Sequence, residues 1–432
     1  MSAGKGLVEL VVGRIAAGGG CVARLDDGRV AFVRHSIPGE RVRARITDEH
    51  KTFVRADAVE ILEPSSTRVA PPCRYAGPGR CGGCDWQHIP LAAQRRLKGE
   101  LVSEQLRRVA GVEHPVVVEP VPGDVDGLGW RTRIRYSVSP AGHLGLRKHR
   151  SHLIQRIDRC VIAGPSIKEL RAERLRWPGA ASVEVFATAD AGPPVVSVGT
   201  RRRRQLSLPA FEGGLLVDDQ LVHEPGAVRT EVLGHRFRVS AAVFWQGHPG
   251  AAALLGQVVR KLVESCEGRR VADLFAGAGL FSVLLAGRVG PTGDVLAVER
   301  DPHAAADLAV NTAGMVNVRV VRASVSPALV DTGLNDPQVV VLDPPRQGAG
   351  VAVMEGLVRL GALERIVYVS CDSASFARDL RAVLDAGWTL ASLRAFDLFP
   401  MTEHVELVAA LDAPRRSDLV GAQETRQLPP QS

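Results

Sequence analysis

The residues best placed to do chemistry are a thiol and two carboxylates near the end of the chain. Cys371 closes the apolar run RIVYVS and precedes Asp372 and Ser373, either of which can cap the helical stretch SFARDLRAVL. A thiol at the start of a helix lies near its partial positive charge, and this position predicts a shift toward thiolate. Downstream, DLFPMTEHVELVAAL sets Glu403 and Glu406 at the start of another apolar strand. If that strand lies beside the Cys371 strand, one of the two carboxylates faces the thiol, and spacing alone does not choose between them. A thiolate can add to an electron-poor double bond, and a nearby base can then remove a proton so that the thiol is expelled.

A second group of residues has the pattern of a cofactor loop. VADLFAGAGLFSVLLAGRV predicts a strand ending at Phe275, a turn at Gly277 and Gly279, and a helix from about Leu280. Glu299 ends the next strand, where its carboxylate can meet ribose hydroxyls. Ser282 stands where a nicotinamide-binding loop would carry a third glycine, so S-adenosylmethionine is the expected cofactor in preference to NAD. QVVVLD then runs into Pro344-Pro345-Arg346-Gln347-Gly348, which places Asp343 at the carboxyl edge of the sheet on a stiff loop. These parts share one logic. Uracil C5 is too weak a nucleophile to take a sulfonium methyl directly, whereas thiolate addition at C6 turns C5 into an enolate carbon that can.

The chain holds 7 cysteines, at 21, 73, 81, 84, 160, 266 and 371. An odd number without a recognisable export signal argues against a disulfide framework. Cys73, Cys81, Cys84 and Cys160 instead offer the thiolate count of an iron–sulfur cluster or a tetrahedral zinc, whereas Cys21 and Cys266 lie in strand-like and helix-like surroundings and read as structural.

The elements that must carry these residues fall into an α/β arrangement. Residues 1–63 alternate apolar and polar in short runs and predict a small closed β-barrel, with Arg29, Arg34, Arg41, Arg43 and Arg45 on or between its strands. Residues 64–235 predict a mixed α+β central domain carrying the four cysteines, including an amphipathic helix with Leu91, Leu97, Leu101, Leu106 and Val109 as its apolar set. Within it Arg201–Arg204 form a basic run that reads as solvated surface. Residues 236–412 repeat apolar strand, turn and helix, the grammar of a doubly wound parallel sheet, and 413–432 are polar and aperiodic, which predicts a disordered tail. A net charge of +7 over 432 residues favours a polyanionic partner. No apolar run approaches the roughly 20 residues of a membrane span. The expectation is a cytoplasmic monomer that binds RNA and no membrane.

Taken together, these motifs resemble the uracil-5 RNA methyltransferase family, which modifies uridines in 23S ribosomal RNA and in the T-loop of tRNA. Nearly the whole chain takes part: the N-terminal segment resembles a TRAM domain, CGGCDWQH resembles the family's four-cysteine [4Fe–4S] site, and the C-terminal part resembles its Rossmann-like methyltransferase domain. The resemblance implies that Gln246 (in VFWQ), Phe275 (DLFAGAG), Glu299 (AVER) and Asp343 (LDPPRQG) hold S-adenosylmethionine. It implies Cys371 (VSCD) as nucleophile, Glu406 rather than Glu403 as base, and Cys73, Cys81, Cys84 and Cys160 as cluster ligands. The ribosomal branch is favoured, because the barrel and the four cysteines resemble it. Departures from the family pattern are a longer first cysteine gap, Leu280 in place of a common Asn, and Ser373 in place of a Pro. A tRNA uracil-5 enzyme, an RNA cytosine-5 methyltransferase and a non-catalytic RNA-binding factor are the alternative readings, with zinc as the alternative at the cysteines.

Overall fold

Alternation of buried and exposed side chains builds the first sheet of the computed structural model, which describes residues 6–188, 192–201, 206–264 and 266–414. Strands β1 (Leu7–Val11), β2 (Cys21–Arg24), β3 (Val30–Arg34), β4 (Arg41–Glu49) and β5 (Phe53–Glu63) pair in the order β1-β4-β5-β3-β2 and curl over one apolar core. Val33, Val42, Ala44 and Val54 are fully buried there. The arginines on this sheet are mostly spoken for. Arg41 meets Glu9 and Glu63, Arg43 meets Glu9 and Glu60, Arg34 meets Asp57 and Asp85, and Arg29 meets Asp27. The pairs of Arg29, Arg41 and Arg43 lie at the surface and contribute little to stability, but with those of Arg34 they offset much of the positive charge on this face.

The chain divides into two compact units, the first made of Met1–Glu104, Pro115–Ala253 and Phe396–Val405, the second of Gln105–His114, Leu254–Ala395 and Glu406–Ser432. Besides the curled sheet, the first unit holds the greater part of helix α1 (Leu91–Gln105), the short strand β6 (Val118–Glu119) and a seven-stranded sheet. That sheet consists of β7 (Arg133–Val138), β8 (Leu144–Arg147), β9 (Ile154–Arg156), β10 (Ala180–Phe186), β11 (Val195–Thr200), β12 (Gly214–Val217) and β13 (Gln220–His223), in the order β13-β12-β11-β10-β7-β8-β9. Helix α2 (Pro165–Leu170) and the hairpin β14 (Ala227–Val232) with β15 (His235–Ser240) complete it.

Of the apolar set expected on the first long helix, Leu97, Leu101 and Leu106 are buried, but Val109 is 39% exposed. The reason is local: α1 gives way to a π-helical turn over Leu106–Ala110, which breaks the 3.6-residue phase before Gly111 ends the helix in a left-handed conformation. Arg202–Arg204 of the basic run and the tail beyond residue 414 lie outside the described residues.

In the second unit the doubly wound pattern is realised. After α3 (Ala251–Leu262), whose last residues belong to it, come β16 (Arg270–Leu274), α4 (Leu280–Val289), β17 (Asp294–Glu299), α5 (Pro302–Asn311), β18 (Val318–Arg322), α6 (Pro327–Gly333), β19 (Val339–Leu342), α7 (Val351–Val358), β20 (Arg365–Ser370), α8 (Ser373–Asp385), β21 (Thr389–Phe396) and β22 (Glu406–Asp412). Their order is β18-β17-β16-β19-β20-β22-β21. The first five are parallel, and β22 runs antiparallel to β20. Every residue of β19 is buried and five of six in β20 are, as expected of strands covered on both faces. The order reverses between β16 and β19, so the loops after these two strands flank the crevice where such sheets bind ligands.

Candidate active site

The backbone after β16 is shaped for close approach. Phe275, a residue with a side chain, adopts φ +63°, followed by Gly277 at +56° and Gly279 at +93°. A left-handed non-glycine residue costs on the order of 1–2 kcal/mol and is found where function holds it. At Gly279 a Cβ would come within 2.6 Å of Leu308 Cδ1, so only glycine lets the loop lie this near α5. Ser282, standing where a third glycine would tighten a nicotinamide loop, donates its hydroxyl to Asp273 Oδ2 and so ties the first turn of α4 to β16. The other oxygen of Asp273 is buried without a partner, and burial pushes this carboxyl up to about 7. Glu299 crosses the loop: Oε2 accepts from the Gly277 amide at 2.9 Å and Oε1 from the Asp301 amide at 2.7 Å. Each oxygen keeps acceptor capacity for a further hydroxyl.

Cys371 and Glu406 meet through strand register. Ser370 pairs with Leu407 on the antiparallel β20–β22 ladder, so the next position sets Cys371 opposite Glu406. Residues directly opposite share a face, at about 5 Å between Cα atoms. Electrostatics agree with the register. The Cys371 thiol, half-buried, is pushed up to about 12, first by burial and then by the charges of Glu406 and Asp343, while Arg346 pulls it down. Glu406 is buried, and its carboxyl is raised well above the usual range by burial and by Asp343. The carboxyl of Asp343 is likewise raised, by desolvation first and then by Asp273. The thiolate expected from the helix N-terminus is therefore not the resting state: burial and two neighbouring carboxyls outweigh a helix end whose effect is typically 0.3–1 kcal/mol.

Glu403 lies elsewhere, within the first unit, where a Cβ on Gly19 would sit 3.0 Å from its own. Register thus separates the two glutamates that sequence spacing left equivalent.

Helix α8, which starts beside the thiol, also holds the Asp343 loop. Asp372 caps it, accepting from the Ser375 amide at 2.8 Å. Ser375 Oγ donates to the Arg346 carbonyl at 2.9 Å, and Arg378 donates to the Gln347 carbonyl at 2.7 Å. Fully buried Asp379 accepts from the Ala349 amide at 2.9 Å, the Gly350 amide at 3.2 Å and the Tyr368 hydroxyl at 2.7 Å. Gly348 runs so close that a Cβ there would stand 2.4 Å from Asp379 Oδ2.

Cys73, Cys81, Cys84 and Cys160 line one cavity in the first unit, together with Arg131 and Arg159. All are free thiols, and burial raises Cys81, Cys84 and Cys160 above the ordinary cysteine range, with Arg131 opposing in each case. Among the described residues no three His, Cys, Asp or Glu side chains converge to hold a single metal ion. Cys21 is buried in β2, its thiol 3.5 Å from the Ser36 carbonyl. Cys266 is also buried, in the turn between α3 and β16 rather than in a helix. Gln246 is buried in the first unit, where its carbonyl accepts from Thr132 Oγ1 at 3.3 Å.

Comparison with known proteins gives these sites a family. The tRNA (Uracil-5-)-methyltransferase profile matches residues 235–413, and the TRAM domain profile matches 8–59. An uncharacterized RNA methyltransferase of Streptomyces avermitilis is 44% identical over 94% of this chain and 98% of its own length. The 23S rRNA (uracil(1939)-C(5))-methyltransferase RlmD of Halomonas elongata is 33% identical over 95% of this chain and 90% of its own. The chain belongs to the RNA uracil-5 methyltransferase family. Among solved structures, the Pyrococcus abyssi tRNA (uracil-54, C5)-methyltransferase in complex with S-adenosyl-L-homocysteine shares the fold, with a TM-score of 0.70 at 23% identity, over 94% of this chain and 100% of that one.

Some supports of this methyltransferase were not legible as site residues. The Asp273–Ser282 tie carried a signal, a serine at the third-glycine position, but not its partner. Segment 396–405, which leads into Glu406, is anchored within the first unit by buried Lys98 on Asp397 and by Gln94, whose Oε1 accepts from the Met401 amide at 2.8 Å. Nothing in the spacing of residues about 300 apart announces such contacts. No helix among the described residues is long and apolar enough to cross a membrane.

Proposed function

We propose that this enzyme methylates C5 of a uridine in RNA, with 23S ribosomal RNA as the favoured substrate, through a covalent bond between Cys371 and C6. The observation that carries the reading is the register that sets Cys371 opposite Glu406, with Asp343 acting on both. S-adenosylmethionine, when bound at the β16 and β17 loops, supplies an electrophilic methyl group. Phe275, Glu299 and Asp343 would hold it, joined by Gln246, and the left-handed loop with the Glu299 carboxylate across it fits an adenosine and its ribose hydroxyls.

Cys371 releases its proton to solvent and adds to C6 as thiolate, the Sγ–C6 bond forming as the C5–C6 π pair moves onto C5 and makes it nucleophilic. Once C5 is methylated, Glu406 in its ionised form takes the C5 proton, the C5–C6 double bond re-forms as the C6–S bond breaks, and the departing thiolate is reprotonated by Glu406 or by solvent. A raised carboxyl suits that step, since a base of high proton affinity removes a weakly acidic carbon-bound proton more readily. Arg346 is a cation that lowers the thiol's proton affinity and so favours thiolate.

The four cysteines would hold a [4Fe–4S] cluster. Their thiolate count serves an iron–sulfur cluster and a tetrahedral zinc alike, and the family resemblance is what favours iron. The working division is a TRAM-like barrel at 1–63, a cysteine-bearing central domain at 64–235, a methyltransferase domain at 236–412 and a tail at 413–432.

The test is tritium release from RNA labelled at uridine C5. Wild-type enzyme with S-adenosylmethionine is expected to release tritium and form 5-methyluridine, and Cys371→Ala to lose at least about 10³-fold in rate. Release by the alanine variant at the wild-type rate would remove the thiol from the mechanism.

A further inference from the structure

Among the described residues, a run of basic side chains without carboxylate partners lies outside the curled sheet. Between Leu144 and Arg159 the chain carries Arg147, Lys148, Arg150, Arg156 and Arg159, two histidines, and a single acidic residue, Asp158. That aspartate is already paired with Arg74 at 2.6 Å. Arg147, Arg150, Arg156 and Arg159 are exposed, and Lys148 is partly so. No ion pair to a carboxylate within 4.0 Å is found for any of these five among the described residues, whereas Arg29, Arg34, Arg41 and Arg43 of the curled sheet each have at least one and Arg45 is the exception among the arginines named there.

Geometry makes this stretch a fixed projection and not a loose loop. It is the β8–β9 hairpin, at the edge of the seven-stranded sheet, paired through Gly145 with Arg156 and Arg147 with Ile154. Its tip is tied to the cysteine segment: Cys81 bridges Lys148, the Gly82 amide donates to the Arg147 carbonyl at 3.1 Å, and a Cβ on Gly82 would collide with the His149 backbone at 2.6 Å. Arg159 reaches the cavity that the four cysteines line.

We propose that the β8–β9 hairpin is the surface on which this enzyme binds the phosphate backbone of its RNA, with the cysteine segment as the buttress that fixes it. The proposal rests on RNA being the substrate. Unpaired arginines release counterions when they meet phosphates, and arginines already held by glutamates release fewer because their charge is largely compensated. The hairpin therefore contributes affinity that does not depend on sequence, leaving base selection to the active-site unit.

The test uses the full-length protein and an unmodified 23S rRNA transcript, with binding measured from 50 to 300 mM salt. The triple variant Arg147→Gln, Arg150→Gln, Arg156→Gln should bind at least tenfold more weakly, and the slope of log K against log salt should shrink by about 2–3, at roughly 0.7–0.9 per phosphate lost. Its melting temperature and its rate at saturating RNA should stay near wild type. Arg41→Gln with Arg43→Gln should leave both affinity and slope nearly unchanged. Unchanged binding by the hairpin variant, or a loss confined to the barrel variant, overturns the proposal. A wild-type enzyme that binds the transcript yet forms no 5-methyluridine would instead count against the substrate reading.

Discussion

Two sets of thiols in this molecule share a chemistry and differ in their neighbours. Cys371 stands as a lone sulfur with Glu406 and Asp343 raising its proton affinity and Arg346 lowering it. Cys73, Cys81, Cys84 and Cys160 stand together around one cavity with Arg131 beside them. Burial raises Cys371 as it raises Cys81, Cys84 and Cys160, so burial does not separate the proposed nucleophile from the proposed ligands. Company does. A single sulfur facing carboxyls is held toward its protonated form, and in the proposed mechanism a carboxyl beside it moves a proton. Clustered sulfurs beside a guanidinium raise one another's proton affinity and gain most by sharing a cationic centre.

The sharpest way to break this contrast is to remove the carboxylate from the Cys371 side. Glu406→Gln should lower methyl turnover by about 10²–10⁴-fold, the usual contribution of a positioned base, while the bond to C6 still forms. Its signature is an RNA–protein adduct that survives denaturing gels and is much weaker in wild type. Full turnover by this variant would show that Glu406 is a bystander.

On the other side, Cys84→Ser should leave the Cys371 region intact yet lower the melting temperature of anaerobically purified protein by roughly 5 °C or more, with loss of bound iron. Iron content and melting point unchanged from wild type would remove the ligand role.

The smallest effects concern the resting thiol. With its thiol pushed up to about 12, Cys371 has roughly a thousandfold less thiolate at pH 8 than an ordinary cysteine, and because a more basic sulfur is also a better nucleophile its alkylation by iodoacetamide in free enzyme should be some hundredfold slower. The rate should climb about tenfold per pH unit from 7 to 10, because the raised group loses its proton only at high pH. Wherever Glu406 is ionised, Glu406→Gln removes a charge that raises the thiol's proton affinity, so alkylation of Cys371 should be faster in the variant than in wild type. Peptide mass mapping reads each site separately, and rapid alkylation of Cys371 at pH 7 would contradict the resting state described.

How much of this could be read from sequence follows from the range of the interactions. Period-two and strand–turn–helix patterns are local, and the strands around Val33, Leu274, Leu342 and Ser370 and the caps at Gly279 and Asp372 lie where those patterns place them. The thiol, the glycine turn and Glu299 are legible for the same reason. Choosing Glu406 over Glu403 needed either a family motif or a ladder register, since both lie within four residues on one segment. Charge was the least legible. Arg41 and Arg43 sit 32 to 34 residues from Glu9 in sequence, and only cross-strand pairing shows that their charge is offset. The β8–β9 hairpin lies in a segment of mixed strand and turn signals, where unpaired charge shows only once its neighbours are known. Val109 left the predicted face because a π turn changes phase without a sequence mark as plain as proline.

The most direct measurement is the site of covalent attachment to RNA in which uracil is replaced by 5-fluorouracil, whose C5 fluorine cannot leave as a proton and so holds the adduct. With S-adenosylmethionine present, a denaturation-stable complex should form, and its nucleotide-bearing peptide should carry the modification on Cys371. No complex, or attachment at any of the other cysteines, would contradict a mechanism in which this thiol attacks C6.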